Sequence, residues 1–76
     1  MGDERTVVFS DYALMRMHQR NIDEEDVVAA LDAPRSRHRR RQDGRSEAWT
    51  RVRQRTLLVI YRRQEGSFIV INAMWE

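Results

Sequence analysis

The sequence predicts an α+β domain in which two N-terminal helices pack on an antiparallel sheet of four to five strands. Three observations point there. Apolar residues recur at helical spacing between capping residues within the first 34 positions. Beyond them, β-branched and aromatic runs alternate with the turn signals Asp43-Gly44 and Glu65-Gly66. Finally, 76 residues with a hydrophobic fraction of 41% suffice for one core and not two. The expected order is β-α-α-β-β-β-β in one domain spanning residues 1–76.

Thr6-Val7-Val8-Phe9 is β-branched and aromatic and reads as a short strand. Ser10 follows as a helix N-cap, with Asp11 in the first turn. Ala13 and Met17 lie four apart on the core side of a helix that runs to about Arg20. Asn21 can end it in a left-handed turn, and Ile22 can fold back as an apolar anchor. Asp23 opens a second helix whose first turn holds Glu24, Glu25 and Asp26. Val27, Val28 and Leu31 form its apolar stripe, and Pro34 stops it.

The rest reads as a meander. Arg35 to Gln42 leads into Asp43-Gly44, a tight hairpin with both central residues at positive φ. Ala48 to Arg53 returns, with Trp49, Arg51 and Arg53 on one side and Ala48, Thr50 and Val52 on the other. Thr56 to Arg62 is apolar on both parities and therefore reads as a central strand covered on both faces. After Glu65-Gly66, Ser67 to Trp75 places Phe68, Val70 and Met74 on one face and Ile69, Ile71 and Trp75 on the other.

The absence of cysteine removes disulfides, thiolate metal sites and cysteine nucleophiles together. The longest apolar run, Leu57 to Tyr61, falls far short of the ~20 residues of a membrane span. No basic and apolar leader opens the chain, so a soluble, cytoplasmic protein is expected, with no membrane partner. All 14 basic residues are arginines. Lysine chemistry is thereby excluded, while guanidinium forks suit phosphate and carboxylate recognition. The net charge of +2 conceals a division. Residues 1–34 hold eight acids against three arginines, −5, and residues 35–76 hold eleven arginines against four acids, +7. A basic half of that density fits nucleic acid or an acidic partner.

Phe9-Ser10-Asp11-Tyr12-Ala13, Arg16-Met17, Arg20, Ile22, and Asp26-Val27 through Leu31 to Pro34 resemble the opening of family 4258 of the domains of unknown function. The apolar C-terminal strand resembles that family's end, so the resemblance covers about residues 7–74. It implies a small RelE-like or BrnT-like α+β toxin fold, a group that includes ribonucleases paired with antitoxins. Members of the family usually carry histidine where this chain has Tyr12, which departs from a histidine-based mechanism.

Four groups of residues are candidates for chemistry. Tyr12, Arg16 and Arg20 form one helix stripe that can hold a phosphate and stabilise a pentavalent phosphorus, or can instead pair with Asp11, Asp23 or Glu24. Arg35, Arg37, Arg39 and Arg41 alternate along a strand, with His38 and Arg40 opposite, as a phosphate-binding ladder or a charged edge. His18 and His38, the two imidazoles, are general-base candidates or ordinary surface residues. Trp49, Arg51 and Arg53, with Tyr61 from a neighbouring strand, can stack bases and hold phosphates, or Trp49 and Tyr61 can complete the core. The spacing of histidines and carboxylates suggests no metal site, and no cofactor is expected.

Two functions follow as expectations. One is a toxin-like, metal-independent ribonuclease with Tyr12, Arg16, Arg20, Arg51 and Arg53 at the catalytic site, an RNA substrate and an acidic antitoxin-like partner. The other is a non-catalytic module of the same fold that binds protein or nucleic acid. Exposure of Trp75 and its apolar neighbours would favour a third, homo-oligomeric role.

Overall fold

A computed structural model of the chain describes residues 6–32 and 37–76. The α+β order is as expected: β1 (Thr6–Phe9), α1 (Asp11–Arg20), α2 (Glu24–Asp32), β2 (Arg37–Arg40), β3 (Ser46–Val52), β4 (Arg55–Gln64) and β5 (Ser67–Trp75). Pro34 and Arg35, the helix stop and the first rung of the arginine ladder, lie outside the described residues.

Local capping chemistry sets both ends of α1. Ser10 is extended at φ −65° and ψ 157°, and its hydroxyl accepts from the Ala13 N–H at 3.0 Å. Asn21 is left-handed at φ 57° and ψ 46°. Its N–H donates to His18 O and that of Ile22 to Met17 O at 2.9 Å, the paired bonds of a Schellman motif. The turn buries Ile22 against Met17 and Ala13 in the core. In α2, Glu24, Glu25 and Asp26 occupy the first turn, where the helix dipole favours anions. Its buried stripe is Val27, Ala30 and Leu31, with Val28 only half-buried.

The five strands form one sheet in the order β1-β5-β4-β3-β2. β4 is central, as its apolar sequence suggests. The sheet is mixed and not wholly antiparallel, because β1 runs parallel to β5, with Phe9 beside Val70. β2 to β5 are an antiparallel meander.

Register then sorts the side chains. Leu57, Val59 and Tyr61 of β4 face the helices with Ala48, Phe68, Val70 and Ala73 and join the core. Leu58 and Ile60 point to the other face, which neither helix packs against. Two-sided apolar patterning therefore does not mean two-sided cover among the described residues. A bulge between Ile60 and Tyr61 sets Tyr61 opposite Val70 but Ile60 opposite Asn72, leaving Ile71 as the extra residue of β5. The alternation of β5 reverses there. Trp75 packs against the core with Phe68 and Val70, and Met74 takes the open face with Ile69, the converse of the simple alternation.

The turns depart from expectation in instructive ways. Asp43-Gly44 does sit in the β2–β3 hairpin, but the loop spans Gln42 to Gly44, with Gly44 N donating to Arg41 O and Arg41 N to Arg45 O. In this hairpin Gly44 takes positive φ, 89°, and Asp43 does not. Asp43 Oδ1 instead accepts from the Arg45 N–H at 3.1 Å, and that bond holds the carboxyl below its ordinary pKa, with Arg41 and Arg45 adding to the effect. Its stabilising contribution is present above the ordinary carboxylate range and is lost as pH falls through the lowered value.

β3 ends at Val52, so Arg53 belongs to a turn and not to the strand face it was expected to share with Trp49 and Arg51. Arg53 and Gln54 have φ of 55° and 132°, a costly conformation for residues with a Cβ. Gln54→Gly is expected to raise stability by roughly 0.5–1 kcal/mol, read as a higher urea midpoint with an unchanged slope. Glu65-Gly66, at φ 49° and 82°, forms the β4–β5 turn where expected.

Candidate active site

The most chemically equipped cavity lies on the helix side of the sheet, at the end occupied by β2. The helices leave that end open: α1 packs on β5, α2 on β3 and β4, and β2 is exposed along its length. Within β2, alternation sends His38 and Arg40 to the helix side and Arg37 and Arg39 to the opposite face. Cross-strand pairing places Arg40 beside Ser46 and Ser46 beside Tyr61. Two residues further along β4, Arg63 stands beside Phe68. His38, Arg39, Arg40, Gly44, Ser46, Tyr61 and Arg63 line a cavity of about 420 Å³.

At its centre, His38 Nδ1 lies 3.0 Å from the Tyr61 hydroxyl. The Tyr61 residue is only 4% exposed. Its ring meets Phe68 edge to face at 5.3 Å and His38 at 6.1 Å, so both neighbours fix its orientation. The Arg63 guanidinium lies 5.5 Å from the Phe68 ring centroid, a cation–π contact that holds its charge beside the same cluster. The cavity thus combines a hydrogen-bonded imidazole–phenol pair with arginines from two strands. When Nδ1–H donates to Tyr61, Nε2 is free to accept a proton. When the phenol donates, Nε2 carries the proton instead.

The residues singled out in the sequence are distributed differently. Tyr12 is 51% exposed on α1, with the Arg16 guanidinium 5.9 Å from its ring centroid. Arg16 Nη1 donates to Gln19, and Arg16 Nε is buried without a hydrogen-bond partner. Arg20 has a structural position. Beyond Val70 the outer edge of β5 has no β1 partner, and Arg20 Nη1 donates there to Ala73 O at 2.7 Å and to Asn72 Oδ1 at 3.2 Å. Trp75 Nε1 donates to Arg20 O at 2.7 Å, closing the contact. Both arginines therefore bond neutral oxygens and not the acids Asp11, Asp23 or Glu24. His18 is exposed on α1, beside Asp23 and Glu24 at a cavity away from His38.

Arg37, Trp49 and Arg51 do come together, but on the opposite face. With Thr50, Thr56 and Glu76 they line a cavity of about 580 Å³. Arg37 sits 5.7 Å from the Trp49 ring centroid, and Trp49 Nε1 donates to Glu76 Oε2 at 3.3 Å. Arg41 lies just past β2 and contacts Glu47 at 3.8 Å. The arginine ladder is thus interrupted by carboxylates.

Sequence spacing alone does not join His38 to Tyr61, and it marks none of Arg40, Ser46 and Arg63 as part of a site. The usable signal was parity. His38 and Arg40 share one side of β2, Tyr61 and Arg63 share one side of β4, and the register of two hairpins brings those sides together. Among the described residues, no group of three or more His, Asp or Glu side chains is arranged to hold a metal ion. No helix among them is long and apolar enough to cross a membrane.

Fold and cavity together define a small α+β domain with a histidine–tyrosine–arginine cluster on its sheet. The chain belongs to a family described as a domain of unknown function, DUF4258, whose model matches residues 9–75. No curated protein and no solved structure gives a significant match to it.

Proposed function

We propose that this protein is a toxin-like, metal-independent endoribonuclease whose reaction is carried out at the His38–Tyr61 cavity. The observation that carries this reading is the 3.0 Å contact between His38 Nδ1 and the Tyr61 hydroxyl in a cavity lined by Arg40 and Arg63. RNA supplies its own nucleophile, so the protein needs a proton acceptor, a proton donor and fixed positive charge. With Nδ1–H donating to Tyr61, His38 Nε2 takes the proton of a 2′-hydroxyl as that oxygen attacks the adjacent phosphorus. The bond from phosphorus to the 5′-oxygen breaks, and Tyr61 gives its proton to the departing oxygen. Nδ1–H then restores the phenol, so protons balance across the pair. The products are a 2′,3′-cyclic phosphate and a 5′-hydroxyl. Arg40 and Arg63 hold the charge that accumulates on the phosphoryl oxygens.

The test is incubation of the purified protein with single-stranded RNA in excess EDTA, with both product ends identified. Cleavage yielding a 2′,3′-cyclic phosphate and a 5′-hydroxyl is expected, and induced expression is expected to arrest growth. Intact RNA and normal growth favour the alternative, a binding module of the same fold. Tyr12 in place of the family's usual histidine, exposed and beside Arg16, is the feature that favours that second reading.

A further inference from the structure

We propose that the open face of the sheet, opposite the helices, docks an acidic amphipathic helix of a partner protein. This inference is independent of the cleavage reading, because it concerns the other side of the sheet. Antiparallel sheets with one covered face usually present polar side chains on the other. Here the register instead places Val8, Trp49, Leu58, Ile60, Ile69 and Met74 on the side away from the core. None of the six belongs to the core cluster or packs against it. Val8 is 45% exposed, Trp49, Ile60, Ile69 and Met74 are half-buried, and Leu58 lies buried among them, with neither described helix over this face. Contiguous apolar surface of this kind marks an interface.

The charge around the patch selects its occupant. Arg37 and Arg39 of β2, Arg51 of β3 and Arg62 of β4 share this face by register and are exposed. The acids nearby are already engaged: Glu47 lies 3.8 Å from Arg41, and Glu76 accepts from Trp49. A second copy docked face to face would set one arginine rim against another, which disfavours self-association through this surface. An aliphatic patch with one indole offers little for nucleobases to stack on. A helix with an apolar stripe flanked by Asp and Glu satisfies both patch and rim. The sheet's other face already accepts a helix of this type. There α2 buries Val27, Ala30 and Leu31, while Glu24 and Glu25 remain exposed.

The probe is a labelled amphipathic peptide of about five helical turns with Leu on one stripe and Glu on the other, compared with a Lys counterpart carrying the same stripe. Fluorescence anisotropy is expected to show binding of the Glu peptide only. That binding should weaken with salt and by about tenfold or more in Ile60→Asp and in Arg51→Glu, both checked for native circular dichroism. Failure of the Glu peptide to bind, or equal binding of both peptides, overturns the proposal. So does concentration-dependent dimerisation abolished by Ile60→Asp, which assigns the face to a second copy. So does RNA binding lost in the same variant, which assigns it to nucleic acid.

Discussion

Tyr61→Phe and His38→Ala are each expected to slow RNA cleavage by about 10²- to 10⁴-fold, while Arg51→Ala and Tyr12→Phe leave the rate unchanged. Tyr61→Phe retains the ring that meets Phe68 edge to face and removes only the hydroxyl 3.0 Å from His38. His38 lies on an exposed strand, so its truncation costs little packing. A loss of rate in either variant therefore reads chemistry and not unfolding, which a urea melt on the same samples verifies. Because the two groups act as one relay, the double variant should be scarcely slower than the worse single variant. Arg63→Ala is expected to reduce kcat more than it raises KM, since its charge serves the transition state. Equal losses in Arg51→Ala and Tyr61→Phe would move the reaction to the other face of the sheet and refute this site.

What could be read from the sequence was what local backbone chemistry decides. Ser10, Asn21 and Ile22 act through bonds to residues three to five positions away, so their roles are visible in a short window. The centrality of β4 was legible because its residues are apolar on both parities. The turn at Arg53-Gln54 was not, because two residues with side chains take positive φ without the glycine or asparagine that signals it. Nor was the reversal at Ile71, since a bulge leaves no mark in a run as uniform as Phe68 to Ile71. The same limit hid the candidate site. His38 and Tyr61 are 23 residues apart, and only the combined register of two hairpins makes them neighbours. Arg20 is the converse case. Its place on a stripe with Tyr12 and Arg16 suggested phosphate binding, whereas the open edge of β5 claims its guanidinium.

Adjacent leucines on β4 should separate the two faces of the sheet energetically. Leu57 is fully buried under the helices, and Leu58, 8% exposed, lies on the face without them. Leu57→Ala removes about three methylene equivalents from a packed core and leaves a cavity, costing about 3–4 kcal/mol. A domain of this size draws only roughly 3–5 kcal/mol from its single core, so that variant should sit near its unfolding midpoint in water at room temperature. Leu58→Ala loses only the transfer term of the same three methylene equivalents, because water and the neighbouring Trp49 and Met74 side chains can refill the site, costing about 2 kcal/mol. Far-UV circular dichroism measures both, the Leu58→Ala loss from its urea midpoint and the Leu57→Ala loss from its folded fraction without urea. Equal losses would mean that the open face is packed as tightly as the core and needs no further cover. An unequal pair, with the Leu58 cost rising toward that of Leu57 once the acidic peptide is bound, would tie the bare face to its missing layer by linkage, because a ligand held only by the folded state adds its binding energy to stability.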